Sequence, residues 1–148
     1  MVKKILIAVD GSAHSQKAVE FASDLAVKYD SEIYVLYVVA KMEIPKDFVE
    51  FARVEKMNEP IDYHFLTDLG DRIIKKAEIL AQNKGVRTIH SFLEQGDPAE
   101  KIVEFAKENG IDLLVLGSRG LGNMKGLLLG SVSSKVCHMA ESTCITVK

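Results

Sequence analysis

Apolar and polar residues follow one another in blocks that predict buried strands separated by amphipathic helices. The run from Lys4 to Val9 is apolar after its first position, which is typical of a strand buried on both faces of a parallel sheet. Further strands are predicted over residues 32–39, 86–94, 111–116 and 143–147. The pattern therefore predicts a sheet in which most strands are shielded from solvent.

Between the strands, apolar residues recur every three or four positions, the spacing of a helix with one buried face. Asp97 followed by Pro98 is a clear helix start, because aspartate caps the first turn and proline is favoured at its first position. Helices are predicted over residues 15–29, from Thr67 or Asp68 to about Lys84, from Pro98 to Gly110, and over residues 131–140.

Strands that alternate with helices predict one α/β domain over residues 1–148, an open, Rossmann-like parallel sheet with helices on both faces. In such sheets a ligand binds beyond the carboxyl ends of the strands, where the strand order reverses. Residues 41–66 fit this pattern less well and are interpreted as a variable insertion, with a possible helix from Pro45.

A glycine-rich loop connects the fourth predicted strand to the last helix. Residues 117–133 contain five glycines, and glycine permits positive φ angles and a close approach of the backbone to a ligand. The first N–H groups of the helix after Gly130 have no partner within the helix, and the helix dipole favours an anion there. Arg119 and Lys125 add positive charge, and no acidic residue lies between Asp112 and Glu141. The loop predicts a phosphate site, although a plain surface loop before a helix is the alternative.

Two common phosphate-binding motifs do not match this loop. The P-loop pattern requires Gly-Lys-Ser or Gly-Lys-Thr after four intervening residues, whereas Asn123 follows Gly122 here. The dinucleotide fingerprint follows the first strand, whereas Gly120 and Gly122 follow the fourth and lack the third glycine at the required spacing.

The loop instead resembles the ATP-binding members of the universal stress protein family, which carry G-x2-G-x9-G-S/T. Gly117 and Gly120 are followed by nine residues and then by Gly130-Ser131. The resemblance also includes Asp10-Gly11-Ser12 and Gly96-Asp97-Pro98, and it spans nearly the whole chain except residues 41–66. It implies a five-stranded parallel sheet of order 3-2-1-4-5 and a homodimer.

The same resemblance implies roles for individual residues. Asp10 matches the position that contacts the nucleoside, and Val38 matches the position whose backbone contacts adenine. The implied triphosphate positions are Gly117, Gly120, Gly130, Ser131 and Ser133. Many members have a proline where this chain has Thr143, which affects no binding residue. With their neighbours, the candidate site residues are Asp10, Gly11, Ser12, Val38, Gly117, Ser118, Arg119, Gly120, Gly122, Asn123, Gly130, Ser131, Val132 and Ser133.

Composition and charge limit the partners and the cellular location that can be expected. The net charge of −2 gives no reason to expect a nucleic-acid partner, and no apolar segment approaches the ~18 residues that span a membrane. A cytoplasmic location follows by elimination. Cys137 and Cys144 are interpreted as buried small residues, and His14 as a solvated side chain in a polar loop. The histidines show no spacing typical of a metal site.

These observations favour an ATP-binding stress-response module that holds ATP with Mg²⁺ and regulates a protein partner not identifiable from sequence. Residues 143–147 are the expected homodimer strand, since an apolar edge strand invites pairing. A slow ATPase or phosphotransferase is the first alternative, but no Asp, Glu, Gln or His lies between residues 113 and 137 to orient a nucleophile. The second alternative is an interaction domain of the same fold that binds no nucleotide.

Overall fold

The computed structural model describes residues 1–41, Val54, residues 63–120 and residues 129–148. Within these residues, five strands form one parallel sheet of order β3-β2-β1-β4-β5, which confirms the predicted fold class and strand order. The elements are β1 (Lys4–Ala8), α1 (Ala13–Tyr29), β2 (Glu32–Val39), α2 (Tyr63–Asn83), β3 (Ile89–Gln95), α3 (Pro98–Glu108), β4 (Leu113–Gly117), α4 (Ser131–Met139) and β5 (Thr143–Val147).

The sheet separates two hydrophobic clusters, and alternate residues of the inner strands point into each. Ile5 and Ile7 of β1 join the cluster under α1 and α2, whereas Leu6 joins the cluster under α3 and α4. All three side chains are fully buried. Burial of each contributes roughly 1.5–3 kcal/mol. The continuous apolar run in β1 is thus explained by helices on both faces.

The first helix begins two residues earlier than predicted. Ser12 is its N-cap, and the Ser12 hydroxyl accepts a hydrogen bond from the Ser15 main-chain N–H at 3.1 Å. Gly11 precedes it with a φ of 84°, a conformation that glycine adopts without strain. Ser15, the predicted start, therefore lies within the first turn of α1.

Two other boundaries also differ from the predictions. Helix α2 begins at Tyr63, so Thr67 and Asp68 lie inside it and do not cap it. Strand β3 begins at Ile89 and not at residue 86, because the Val86 N–H still donates to the Ala81 carbonyl of α2 after the turn at Gly85. The possible helix from Pro45 lies outside the described residues.

Strand β5 is an edge strand, paired only with β4 within the described sheet. Its residues are half-buried or exposed, unlike the buried residues of β4. Among the described helices, none combines the length and the apolar character needed to cross a lipid bilayer.

Candidate functional site

A cleft of about 420 Å³ opens at the carboxyl ends of β1, β2 and β4. The strand order reverses here, because β1 is flanked by β2 on one side and by β4 on the other. A ligand in an open α/β sheet is expected at this place, and the volume lies in the range of small-molecule sites. The lining residues are Ala8, Val9, Asp10, Ser15, Leu36, Tyr37, Val38, Pro98, Ile102, Leu116, Gly117, Arg119, Gly120, Gly130, Ser131, Val132 and Ser133.

The turn after β1 places the Asp10 carboxylate in the cleft wall. Asp10 Oδ1 accepts a hydrogen bond from the Ser12 N–H at 2.9 Å, so Asp10 shapes the turn that starts α1. Its second oxygen faces the glycine-rich loop, since a Cβ added to Gly120 would lie 2.7 Å from Asp10 Oδ2. One carboxylate oxygen is therefore used by the fold, and the other lies beside Gly120.

Ser118 ties the glycine-rich loop to the rest of the domain and is only 1% exposed. Its N–H donates to the Val147 carbonyl at 2.7 Å, and its carbonyl accepts from the Gly130 N–H at 2.6 Å. The Ser133 hydroxyl donates to the same carbonyl at 3.0 Å. These bonds hold the two described ends of the loop together, so Ser118 is a structural residue and is not one of the residues that line the cleft.

His14 completes this network, with Nδ1 lying 2.8 Å from Ser118 Oγ. The interpretation of His14 as a solvated side chain was therefore wrong. The two residues are 104 positions apart in sequence and meet only because β1 and β4 are adjacent strands. No local sequence signal would have identified the contact.

Gly117 and Gly120 leave space that an added Cβ would fill, whereas a Cβ at Gly130 would make only ordinary contacts within the protein. None of Gly117, Gly120 and Gly130 has a positive φ, so the predicted role of positive φ does not apply to them. A Cβ at Gly117 would lie 2.8 Å from backbone atoms of His14 and Ser15, which would prevent β4 from packing against the start of α1. Of the candidate residues, Gly122 and Asn123 lie outside the described residues, as does Lys125.

The first turn of α4 presents backbone N–H groups to the cleft. Gly130 is the N-cap and offers no side-chain hydrogen bond, and the turn contains no acidic residue. The Ser131 hydroxyl has no hydrogen-bond partner among the described residues, whereas the buried Ser133 hydroxyl donates back to main-chain carbonyls. Of the two serines at implied triphosphate positions, only Ser131 therefore has a hydroxyl proton that is not used within the described residues.

Arg119 supplies the positive charge at this end of the cleft. It is half-buried and forms no ion pair with the described residues. An uncapped helix start beside an unpaired guanidinium attracts an anion, since both the dipole and the side chain favour negative charge. Within the part of the chain that the structure describes, no group of three or more metal-ligating side chains is present.

The opposite wall of the cleft is apolar and includes residues that sequence reasoning missed. Leu36 of β2 and Pro98 and Ile102 of α3 line the cleft together with Val38, the position that the resemblance implied. Only the tertiary structure reveals this wall, because α3 lies about 60 residues after β2 in the chain. Tyr37 contributes to the rim, where burial and the Asp10 carboxylate both raise its pKa.

The site thus belongs to an open α/β domain with an anion-attracting helix start and an apolar wall in one cleft. The chain is a member of the universal stress protein family, whose model matches residues 1–148. The universal stress protein YxiE of Bacillus subtilis is 34% identical over 155 residues, covering 97% of this chain and 96% of that protein.

Two solved structures extend the similarity. The structure of MJ0577, a universal stress protein from Methanocaldococcus jannaschii, matches with a TM-score of 0.80 and 28% identity, covering 100% of this chain and 96% of that one. A universal stress protein solved in complex with cAMP matches with a TM-score of 0.71 and 25% identity, covering 99% of this chain and 97% of that one. At least one structural relative of this chain therefore binds an adenine nucleotide.

Proposed function

We propose that this protein binds ATP, with Mg²⁺ held through the phosphates, in the cleft at the carboxyl ends of β1, β2 and β4. The observation that carries the proposal is the uncapped first turn of α4, which opens onto the same cleft as an apolar wall. An adenine nucleotide has a flat, weakly polar base at one end and an anion at the other. The relative in complex with cAMP supports this class of ligand.

Each part of the nucleotide has a suitable counterpart in the cleft. The phosphates fit the N–H groups of residues 131–133 and the Arg119 guanidinium. The ribose hydroxyls can donate to the Asp10 carboxylate, and adenine fits between Val38 and Ile102. Mg²⁺, when bound, would neutralise part of the phosphate charge. We also propose that Gly122 and Asn123 contact the bound nucleotide.

We propose further that the bound nucleotide marks a regulatory state in a stress response and is not turned over rapidly. Phosphoryl transfer needs a group that orients the attacking nucleophile. Among the described residues around the cleft, Asp10 uses one oxygen to form its turn, and the His14 ring contacts Ser118. This arrangement supports binding over catalysis, and slow hydrolysis is the alternative that the experiment below tests.

Calorimetry with ATP and Mg²⁺ tests binding, and single-turnover hydrolysis with excess protein tests catalysis. In calorimetry we expect a binding isotherm that saturates with ATP. In the hydrolysis experiment we expect labelled ATP to be recovered intact after times much longer than one turnover of a typical enzyme. The absence of any heat of binding would refute the proposal. Hydrolysis near 1 s⁻¹, the lower end of typical enzyme turnover, would instead favour an ATPase. Analysis of small molecules released on denaturation of the purified protein identifies the native ligand.

We also propose a homodimer formed through β5. The Val147 carbonyl accepts a hydrogen bond from the N–H of Ser118, the residue after β4, so the peptide groups of the preceding residue, Thr146, point away from the sheet. A second copy of β5 related by a two-fold axis can pair with this exposed edge. Deletion of residues 143–148 would be a poor test, because it also removes the Val147 carbonyl that accepts the hydrogen bond of the Ser118 N–H.

Thr146→Pro is the sharper test of the dimer, since it removes one outward N–H without removing a bond to β4. Light scattering should give a dimer mass for the wild type and for the control Thr146→Ala, and a monomer mass for the proline variant. A monomeric wild type at micromolar concentration would refute the proposal.

A cytoplasmic location and a protein partner remain proposals, the first supported by the two unpaired cysteines.

A further inference from the structure

A hydrogen bond between α1 and the glycine-rich loop lies outside the lining of the candidate cleft. In the first turn of α1, His14 Nδ1 lies 2.8 Å from the Oγ atom of Ser118, the residue after β4. Gly117 allows this approach, because an added Cβ there would lie 2.8 Å from the main-chain carbonyl carbon of His14. Neither partner of the bond lines the cleft, so the bond can affect a ligand only through the groups that it holds in place.

The burial of Ser118 indicates which atom donates in this bond. A serine hydroxyl has one proton, whereas a neutral histidine ring donates from one nitrogen and accepts at the other. Ser118 is 1% exposed, and among the described residues its hydroxyl bonds only to His14. If Nδ1 donated, the Ser118 proton would be buried without an acceptor, which is unfavourable. If the Ser118 hydroxyl donates to Nδ1, its proton has an acceptor, and the proton of the neutral ring lies on Nε2.

The main chain of Ser118 joins this bond to the start of α4. The Ser118 carbonyl accepts hydrogen bonds from the Gly130 N–H at 2.6 Å and from the Ser133 hydroxyl at 3.0 Å. Gly130 is the N-cap of α4 and offers no side-chain hydrogen bond to the first turn, so the turn depends on such contacts with the loop. The same turn carries the N–H groups proposed to bind phosphate. The orientation of Ser118 therefore contributes to fixing where those N–H groups lie.

We propose that His14 is a positioning residue of the nucleotide site, which accepts the Ser118 hydroxyl proton on Nδ1 and thereby holds the Ser118 carbonyl against the start of α4. This inference rests on the proposed binding of ATP. A site that already has its bound geometry loses less conformational freedom when the ligand binds. Without the bond, ATP itself must order Ser118 and the first turn of α4. Since one hydrogen bond between neutral groups contributes modestly, the affinity for ATP should fall about 3- to 10-fold.

Two substitutions of similar shape separate the acceptor from the side chain that carries it. Asparagine at position 14 can place its Oδ1 atom close to the position of Nδ1, because both atoms are bonded to Cγ. Leucine has the same branching at Cγ but no acceptor. Calorimetry with ATP and Mg²⁺ should therefore find His14→Asn within about twofold of the wild type and His14→Leu about 3- to 10-fold weaker. Equal affinities in the two variants, whether high or low, would overturn the proposal.

Removal of the Ser118 hydroxyl tests whether His14 acts through that residue. In a Ser118→Ala background the acceptor on His14 has no donor to hold, so His14→Leu should cause little further loss of ATP affinity. A loss as large as that in the wild-type background would show that His14 acts by another route, and the proposal would be wrong. Urea denaturation of the same proteins separates a loss of affinity from a loss of stability.

Nitrogen-15 NMR of the histidine rings tests the proton assignment in the wild-type protein and needs no nucleotide. At about pH 8, above the ordinary pKa of histidine, we expect His14 Nδ1 at the shift of an unprotonated nitrogen and Nε2 at that of a protonated one. The resonances that are missing in His14→Asn identify the ring. A proton on Nδ1 would contradict the proposal whether or not ATP binds. A wild type that binds no ATP would refute the proposed function as well as this role, whereas equal binding by the two His14 variants would refute this role alone.

Discussion

Replacing Gly130 with alanine separates the fold of the loop from its proposed binding of phosphate. Gly130 has a φ of −71°, which alanine adopts freely, so the glycine is not required by the backbone. An added Cβ would lie 3.4 Å from Arg119 Cα, 3.5 Å from the Ser118 carbonyl oxygen and 3.6 Å from the Gly120 nitrogen. These are ordinary contacts, and the protein should fold.

The same methyl group would lie between the two sides of the proposed phosphate site. It would cover the Gly120 nitrogen and prevent a phosphate oxygen from approaching the start of α4. One hydrogen bond to a charged group contributes about 1.5–3 kcal/mol, so ATP should bind about 10- to 150-fold more weakly. Gly130→Val, with two further carbons, should abolish binding while its circular dichroism spectrum stays near that of the wild type.

Stability must be measured beside affinity, because alanine is a poorer N-cap than glycine by roughly 1 kcal/mol. Gly110→Ala is the matched control. Gly110 has a φ of 61° and open space around an added Cβ, so alanine there costs about 1–2 kcal/mol of strain and lies outside the cleft. Urea denaturation should show similar losses in the two variants, and calorimetry should show weaker ATP binding in Gly130→Ala alone. If Gly130→Ala binds ATP within about threefold of the wild type, the proposed position of the phosphates is wrong.

Two further predictions concern stability. A Cβ at Gly70 would lie 2.5 Å from Cδ1 of the Tyr37 ring, so Gly70→Ala should destabilise the fold by roughly 1–3 kcal/mol, although alanine favours a helix. Urea denaturation should find a smaller loss in a Tyr37→Ala background, and an equal loss would argue against the contact. The main-chain N–H groups of Lys4 and Lys3 donate hydrogen bonds to the Asp112 carboxylate and lower its pKa. The ionised carboxylate therefore stabilises the fold at pH values above its pKa in the unfolded chain, and this contribution is lost as the pH falls. The difference in urea midpoint between wild type and Asp112→Asn should therefore shrink from pH 5 to pH 2, and a constant difference would contradict this.

Local sequence determined the class of fold and the position of the glycine-rich loop. Apolar runs and three-to-four-residue periodicity depend on neighbouring residues, and they were sufficient to predict all five strands and the described helices. The boundaries at Ser12, Tyr63 and Ile89 differed by a few residues, because caps and turns depend on individual hydrogen bonds. The spacing from Gly117 to Ser131 was also enough to indicate the family, which the comparison with its model confirms.

The tertiary structure alone decided which distant residues meet. Strand order places β1 beside β4, and this adjacency brings His14 to Ser118. The packing of α3 over the sheet brings Ile102 to the same cleft as Val38. Each of these contacts joins residues from elements that are separate in the sequence. It therefore depends on the order of the strands and the packing of the helices, and no local pattern predicts it.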